Sequence, residues 1–336
     1  MKRPYKITLS VIAGLVLLFV ILAAVFLYQH RKGVAQADEE YQNYEPPVIR
    51  DFGSTTTLSV LPLVNWHAED SSLQTEMGVS TLIQTDSTTI LFDLGHNSDE
   101  RSPSPLEHNM EQLGITLDQI DNIVISHNHF DHVGGQQWVD QNSFSLGNEQ
   151  KDLTGKQVYT PVPMEYLGIE PVYTPDPTVI EHGIATTGTI PRQLVMGRID
   201  EQALAINVKN KGLVLIVGCG HQTLPKLIER TEEVFDEPIY GVIGDLHYPV
   251  PEGRLNIMGL NAQRFFASGE GPLNPLTYEQ MLENIELLEA RNPGVVGVGG
   301  HDTSDEVISE FHETFGSSYR YVKVGRWIEI GEKAGE

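Results

Sequence analysis

Two hydrophobic patterns divide this chain of 336 residues into a short N-terminal part and a larger remainder. Residues 7–28 carry no charge and are mostly Leu, Val, Ile, Ala and Phe. As a helix, this run measures about 33 Å and is long enough to cross a bilayer. Beyond residue 55, short apolar runs alternate with segments of helical periodicity, an order typical of α/β folds. The pattern predicts one transmembrane helix followed by an α/β domain.

These patterns set the expected domain organisation. The segments are a basic N-terminal segment at residues 1–6, a transmembrane anchor at 7–28, an irregular tether at 29–54 and a folded domain at 55–332. Basic residues precede the anchor and acidic residues soon follow it, so the positive-inside rule predicts a single-pass protein with a cytoplasmic N-terminus and an extracytoplasmic domain. A cleaved signal peptide is the alternative, because Ala35-Gln36-Ala37 has the small-x-small pattern of a cleavage site.

Periodicity within the domain predicts its strands and helices. Strands are expected at residues 58–64, 80–85, 88–93, 123–126, 203–208, 213–217, 240–243, 295–298 and 319–330. Helices are expected at residues 106–113, 223–235, 278–291 and 304–315. Two segments rich in Pro and Gly, 159–191 and 248–276, are expected to be long loops that shape access to a site. This order favours sheets with helices on their outer faces.

Composition narrows the choice of partners. The chain has 22 Lys and Arg residues against 46 Asp and Glu residues, a formal charge of -24 that repels phosphate backbones. We therefore expect no nucleic-acid partner; a small-molecule substrate and the membrane are the expected partners. The single cysteine, Cys219, cannot form an intramolecular disulfide. At the end of a strand, it is expected to be buried and unreactive.

The segment SHNHFDHVGG at residues 126–135 concentrates metal-competent side chains. His127, His129, Asp131 and His132 follow an apolar run on what the Gly134-Gly135 pair predicts to be a sharp turn. Imidazoles this close repel one another once any is protonated, and a bound cation removes that difficulty. The segment therefore predicts a metal-binding loop.

Further candidate ligands follow three other apolar strands, each at a glycine-bearing turn. They are His221 after IVGCG, Asp245 and His247 in VIGDLH, and His301 after VGVGG. With the first cluster they supply enough ligands for two ions that keep positions open for water, as catalytic sites do. Imidazole and carboxylate ligands suit zinc, iron or manganese. We expect two divalent ions, with zinc as the first choice.

The spacing of the first cluster resembles the HxHxDH signature of the metallo-β-lactamase superfamily. The stretch ILFDLG at residues 90–95 is similar to the strand and turn that precede this signature, and the resemblance makes Asp93 a buried carboxylate that supports the metal loop. It also implies the fold: an αββα sandwich in which two mixed sheets pack face to face with helices outside.

Within the superfamily, the chain is similar to the branch named for 7,8-dihydropterin-6-methyl-4-(β-D-ribofuranosyl)aminobenzene 5'-phosphate synthase. The similar stretches are EMGVSTLIQ at residues 76–84, TTGTIPR at 186–192 and DEQALAINVKNKGLVLIVGCGH at 200–221. The branch analogy implies a substrate-facing loop that holds Thr186, Thr187 and Arg192. The guanidinium of Arg192 is suited to bidentate binding of a phosphate or carboxylate.

The resemblance also distributes the ligands between two ions, with His127, His129 and His221 on the first and Asp131, His132 and His301 on the second. It implies Asp245 as the bridging carboxylate, and His247 as a ligand or a supporting donor. Here the sequence departs from the branch, which usually has GGFHL where this chain has GDLHY, and HCTG where it has HDTS. The carboxylate of Asp302 adds an anion near the second ion and puts the branch's own substrate in doubt.

Three functional hypotheses follow. The leading one is a metallohydrolase in which a hydroxide held by two ions attacks an ester, lactone or phosphoester, while Asp131 or Asp245 holds the nucleophile and passes on its proton. The second is a different enzyme class, either the pterin-linked transferase of the resembled branch or a di-iron oxidoreductase. The third is a metal-binding module without catalytic activity.

Overall fold

The computed structural model describes residues 3–331. Residues 1–2 of the expected basic segment and residue 332, the expected end of the domain, lie outside the described residues. Helix α1 spans Arg3–Asn43. Within the described part of the chain, it is the one helix long and apolar enough to cross a membrane, with a mean hydropathy of 3.0 and no buried position in its most apolar window. By length and composition, it fits an anchor or a signal sequence.

Helix α1 is longer than the sequence pattern predicts. The segment expected as an irregular tether, residues 29–54, is helical as far as Asn43. Residues 29–43 include three Gln, two Ala and two Glu, which have high helix propensity, and the next prolines come only at Pro46 and Pro47. The expectation of an irregular segment holds only beyond Asn43.

The remaining elements follow in chain order. The strands are β1 (Thr57–Val64), β2 (Ser80–Thr85), β3 (Thr89–Phe92), β4 (Asn122–Val124), β5 (Gln157–Thr160), β6 (Val172–Tyr173), β7 (Pro177–Glu181), β8 (Ile184–Thr187), β9 (Ile190–Leu194), β10 (Gly197–Glu201), β11 (Leu204–Val208), β12 (Gly212–Val217), β13 (Ile239–Gly244), β14 (Asn256–Ile257), β15 (Leu260–Asn261), β16 (Val295–Val298) and β17 (Ile328–Gly331). The helices are α2 (Pro105–Gln112), α3 (Gln136–Asp140), α4 (Leu224–Val234), α5 (Ala262–Ala267), α6 (Tyr278–Glu289) and α7 (Asp305–Phe315), with short 3-10 turns at Leu117–Gln119 and Gly316–Ser318.

Two large mixed sheets form the body of the domain. One has seven strands in the order β17-β1-β2-β3-β4-β5-β6, and the other has six in the order β16-β13-β12-β11-β8-β7. In each sheet, parallel pairs adjoin antiparallel ones. Two further pairs, β9-β10 and β14-β15, form separate two-stranded ribbons.

Alternating side chains place the two sheets face to face. In β12, Val214 and Ile216 join a core that also holds Leu58 and Phe92 of the opposite sheet. Their neighbours in β12 face outward and pack with α4, α6 and α7, because successive side chains of a strand point to opposite faces. On the far side, β1 and β3 pack in the same way with α2 and α3. The αββα sandwich expected from the resemblance is confirmed.

Three sequence predictions about secondary structure are wrong. The segment 248–276, expected as a loop, contains β14, β15 and α5. Residues 319–330 were expected as one strand, but only Ile328–Gly331 forms β17, and Gly325 interrupts the segment with a φ of 85°. The expected loop at 159–191 contains β6, β7 and β8. Its Gly183, with a φ of 76°, lies in the tight turn between β7 and β8 and does not indicate a loop.

Candidate metal centre

The candidate ligands lie where strands end. β12, β13 and β16 are parallel neighbours, so the residues that follow them lie at one edge of the sheet. In the other sheet, β4 leads into the loop at residues 126–135. Gly134 allows this loop to turn, because its φ is 91° and a Cβ at this position would overlap the carbonyl oxygen of Ser145. The fold thus brings four distant segments of the sequence together.

All six predicted histidine ligands belong to one connected group of rings, formed by His127, His129, His132, His221, His247 and His301. The ring centroid of His127 lies 4.1 Å from that of His132 and 5.0 Å from that of His221. His129 lies 4.7 Å from His127 and 5.1 Å from His221. At the two ends of the group, His247 lies 4.4 Å from His221 and His301 lies 5.4 Å from His132.

Two carboxylates approach the ring of His301. Its Nε2 atom lies 3.4 Å from Asp131 Oδ2 and 3.3 Å from Asp302 Oδ2. The same oxygen of Asp302 is 3.1 Å from His247 Nδ1, and the other carboxylate oxygen accepts a hydrogen bond from the side chain of Gln263. Both carboxylates are buried. The predicted ligand Asp131 therefore lies in the cluster, and Asp302 joins it.

Cys219 also lies inside the cluster. Its Sγ atom is 3.3 Å from His247 Nδ1 and 3.5 Å from Asp302 Oδ2. It shares candidate cation sites with His127 and His221, and with His132 and His301. Burial raises the pKa of the thiol far above its usual range. The sequence prediction that this cysteine is buried is confirmed; the prediction that it is unreactive stays a prediction.

The cluster leaves lone pairs available for cations. Six predicted ligands have seven buried nitrogen or oxygen atoms without a hydrogen-bond partner: His127 Nε2, Asp131 Oδ1, His132 Nε2, His221 Nδ1, His247 Nε2, and both Nδ1 and Nε2 of His301. Buried polar atoms are normally paired, since leaving one unpaired costs about 1–3 kcal/mol. Imidazole nitrogens with carboxylate oxygens form a donor set suited to zinc, iron or manganese. The residues present therefore fit metal ions.

Asp93 orients the metal loop through contacts with Ser126 and His132. This fully buried carboxylate accepts hydrogen bonds from the backbone N–H and the hydroxyl of Ser126, both at 2.7 Å. Its Oδ2 also lies 2.7 Å from His132 Nδ1, so a proton on Nδ1 leaves Nε2 free as a donor to a cation. Burial lowers the pKa of His132, but the adjacent Asp93 outweighs it and raises the pKa to about 9. Asp93 thus occupies the position that the resemblance predicts.

Burial has the opposite net effect on three other rings. The pKa values of His127 and His221 are held well below the usual 6.5, and that of His129 falls to about 4. Loss of solvation disfavours the charged imidazolium in each case, and neighbouring histidines add to the effect. These three rings are therefore neutral at pH 7, the form in which imidazole binds metal.

The structure does not bring Asp245 into the cluster. Its carboxylate is buried, and its two oxygens accept hydrogen bonds from Asn65 Nδ2 at 2.8 Å and from the backbone N–H of His301 at 2.9 Å. Both oxygens are thus used in holding the turn that carries His301. The bridging role of Asp245 stays a prediction, whereas His247, the alternative, lies in the cluster beside His221.

Sequence reasoning missed two other buried acids at this site. Asp302, expected only as a nearby anion, has ligand-like contacts with both His247 and His301. Glu201 accepts backbone hydrogen bonds from Cys219, Gly220 and Gln222, and so fixes the turn that presents His221. The signal for Asp302 was its position directly after a candidate ligand. A single acidic residue near the end of a strand gives no comparable signal for Glu201.

Thr186, Thr187 and Arg192, the residues expected to face substrate, lie in different surroundings. Thr186 and Thr187 end β8, are fully buried and hydrogen-bond to neighbouring backbone. That they face substrate stays a prediction. Arg192 lies instead in the wall of a cavity of about 270 Å³ beside the metal cluster. The wall also includes His221, His247, Tyr248, Ser268 and Glu270. One guanidinium nitrogen of Arg192 donates to the carbonyl oxygen of Gly269, and its buried Nε has no partner.

The αββα sandwich, with its buried cluster of histidines and carboxylates at the strand ends, has the architecture of the metallo-β-lactamase fold. The sequence model of the Metallo-beta-lactamase superfamily matches residues 73–144, which include the HxHxDH motif. The chain therefore resembles this superfamily in the sequence of residues 73–144 and in its fold.

Individual relatives agree with this placement. The chain is 27% identical over 243 residues to the 7,8-dihydropterin-6-methyl-4-(beta-D-ribofuranosyl)-aminobenzene-5'-phosphate synthase of Methanocaldococcus jannaschii, an alignment that covers 60% of this chain and 81% of the relative. A crystal structure described as a metal-dependent hydrolase of the beta-lactamase superfamily superposes with a TM-score of 0.55 at 18% identity, covering 82% of this chain and all of the other. The metallo-beta-lactamase fold protein YhfI from Bacillus subtilis gives 0.50 at 12% identity, with the same coverage.

Proposed function

We propose that the chain is a membrane-anchored metallohydrolase that holds two divalent ions, with zinc as the first choice. The observation that carries the proposal is the set of seven buried ligand atoms without hydrogen-bond partners, which belong to six candidate ligands. Their convergence is costly in the absence of a cation and favourable in its presence. Helix α1 supports the anchor, since its apolar run is long enough to span a bilayer.

The resemblance assigns His127, His129 and His221 to one ion and Asp131, His132 and His301 to the other, and Asp302 lies beside His301. When bound, divalent ions would supply Lewis acidity and lower the pKa of a water molecule. Asp93 accepts the proton of His132 Nδ1 and so aims the Nε2 atom of this ring at the site. Asp131 has one buried oxygen free of hydrogen bonds, at which it can hold a proton during hydrolysis.

Arg192 supports an anionic substrate. Its guanidinium lies in the cavity wall beside His221 and His247, and its Nε is buried and unpartnered. A phosphate or carboxylate in the cavity would satisfy this nitrogen and compensate a buried positive charge. This favours phosphoesters among the ester, lactone and phosphoester classes. We infer that Arg192 binds the anionic group next to the bond that is cleaved.

The test combines metal content with turnover. The purified full-length protein, loaded with zinc, is assayed on phosphodiester, phosphomonoester, lactone and β-lactam substrates, together with Asp131→Asn and the control Asp140→Asn. Asp140 is an exposed carboxylate at the end of α3, the helix that follows the metal loop. We expect hydrolysis by the wild type and by the control, and a loss of at least about 100-fold in kcat for Asp131→Asn. Equal turnover by all three proteins would refute the assignment.

Two other functions give different results in the same experiment. The synthase name of the Methanocaldococcus jannaschii relative favours group transfer to a pterin precursor as the second candidate. That activity requires the acceptor, whereas hydrolysis proceeds in water alone. Iron at two equivalents with a reversible redox transition would instead support the di-iron oxidoreductase. Metal binding without turnover on any substrate would support a non-catalytic module.

A further inference from the structure

Helix α1 lies along the domain by one face. Partly or fully buried positions spaced three or four residues apart form a stripe along this helix, made of Ala23, Leu27, His30, Val34, Ala37 and Tyr41, with the partly buried Gly33, Asp38 and Glu40 beside it. The first two belong to the apolar run that ends at Tyr28. The stripe therefore continues from the polar part of the helix into the part suited to the bilayer.

Strand β9 runs beside this helix in the opposite direction. Just before β9, the carbonyl oxygen of Thr189 accepts a hydrogen bond from Arg230, whose guanidinium stacks on Tyr44 at 4.6 Å. Near the end of β9, the side chain of Gln193 packs against Gly33 of α1. Later residues of β9 therefore lie beside positions of α1 that are closer to its apolar run. The turn that follows, with Met196 60% exposed, continues in that direction.

A second segment, residues 266–273, also lies beside the part of α1 that is close to its apolar run. The backbone N–H of Val195, in the turn after β9, donates to the carbonyl oxygen of Phe266 in α5. Farther along, the Nε2 atom of His30 lies 3.2 Å from the carbonyl oxygen of Glu270. Leu273, 63% exposed, follows within three residues, and the ring of Phe266 is also exposed. Because His30 is two residues from the end of the apolar run, this segment lies at the level where a membrane surface would be.

We propose that Met196, Phe266 and Leu273, named here the apical rim, dock into the interfacial layer of the bilayer that α1 crosses. The inference rests on the proposed anchoring by α1. Large apolar side chains exposed beside an anchor are suited to burial by about 5–10 Å at the boundary of headgroups and acyl chains. The basic residues Arg31 and Lys32 are exposed at the same level, where they can contact anionic headgroups.

Docking of the apical rim has a consequence for the site. Glu270, which contacts His30, and Arg192 lie in the wall of the cavity next to the metal cluster. A smaller gap, lined by Ala37 and Asp38 of α1, separates this wall from the helix. The bilayer surface would therefore lie within about two helical turns of the cavity wall. The partner of the apical rim is a lipid surface, and its contact holds the cavity beside the headgroups.

The experiment places a fluorophore at single positions of the full-length protein in phosphatidylcholine vesicles that contain a lipid with a nitroxide in its upper acyl chain. The environment-sensitive probe is attached to Met196→Cys, Leu273→Cys, Phe19→Cys or Lys209→Cys, and the unmodified chain corrects for labelling of the buried Cys219. Phe19 lies in the apolar run. Lys209 is an exposed control, next to Val208, which pairs with Thr55 beyond the end of α1.

We expect blue-shifted emission and strong nitroxide quenching at Met196→Cys and Leu273→Cys, and neither effect at Lys209→Cys. If Phe19→Cys is quenched but Met196→Cys and Leu273→Cys show neither a blue shift nor quenching, as expected for Lys209→Cys, the docking of the rim is overturned and the anchor stands. Absence of quenching at Phe19→Cys would instead refute the anchor and the inference with it. A blue shift at the rim that nitroxide does not quench would indicate burial by protein and would also overturn the proposal.

Discussion

The substitution Asp93→Asn tests how the metal loop is supported. Asn keeps the shape of Asp93 and tolerates its left-handed backbone, which has a φ of 61°. The amide oxygen can still accept the hydrogen bond from the N–H of Ser126. The amide nitrogen, however, cannot accept a proton from His132 Nδ1, which lies 2.7 Å from the carboxylate. His132 is then free to carry its proton on Nε2, the atom expected to bind a cation.

The expected magnitude follows from this lost contact. A hydrogen bond to a charged group contributes about 1.5–3 kcal/mol, which corresponds to a loss of roughly 10- to 100-fold in metal affinity. Zinc affinity is measured by competition with a chelator of known affinity, and stability by chemical denaturation of the metal-free protein. The matched control is Asp86→Asn, because Asp86 also accepts several hydrogen bonds, from Thr55, Thr56 and Thr57, but lies outside the metal cluster.

The two variants separate support of the metal from support of the fold. Asp86→Asn should lower the free energy of unfolding and leave zinc affinity unchanged. Asp93→Asn should weaken zinc binding by the stated factor. If Asp93→Asn binds zinc as tightly as Asp86→Asn, the Asp93–His132 contact does not orient a ligand, and the reasoning is wrong.

Three further predictions concern the same cluster. Asp302→Asn should lower the bound metal by about one equivalent, as measured by elemental analysis. Asp245→Asn should retain both ions and lower thermal stability. The reverse pattern would instead support Asp245 as the bridge. Gly218→Ala should cost about 1–3 kcal/mol in chemical denaturation, because its Cβ would overlap Ser126 Oγ and lie 2.6 Å from Asp93 Oδ2; unchanged stability would contradict this packing. The metal-free protein should be most stable near neutral pH. Because the pKa of His129 is lowered to about 4 in the folded protein, the free energy of unfolding should decrease as the pH falls below 6.5. Because the pKa of His132 is raised to about 9, the free energy of unfolding should also decrease as the pH rises from 6.5 toward 9. A stability profile that changes in only one direction across this range would contradict the two shifts.

The sequence predicts most of the sandwich because its inner strands have strong local signals. β12 and β13 are continuous apolar runs, as expected for strands covered on both faces, and both lie within a residue or two of their predicted positions. The segments predicted wrongly lack such a signal. Strands β6 to β8 are short and separated by Pro and Gly, and β17 is defined by pairing with β1, at the other end of the sequence. Pairing between distant segments leaves no local periodicity.

The same distinction explains the candidate site. His127, His129, Asp131 and His132 are readable because one loop carries them all, and the structure places their side chains in the cluster. Asp245 has the same local pattern of an acid after a strand, which is typical of a metal ligand. The contacts of its carboxylate, however, depend on Asn65, which is distant in the sequence and donates a hydrogen bond to one of its oxygens. Asp302 reaches the cluster instead, because the backbone of His301 is held by Asp245. A carboxylate that positions a ligand and one that is a ligand have the same sequence signature, and only their partners across the fold distinguish them.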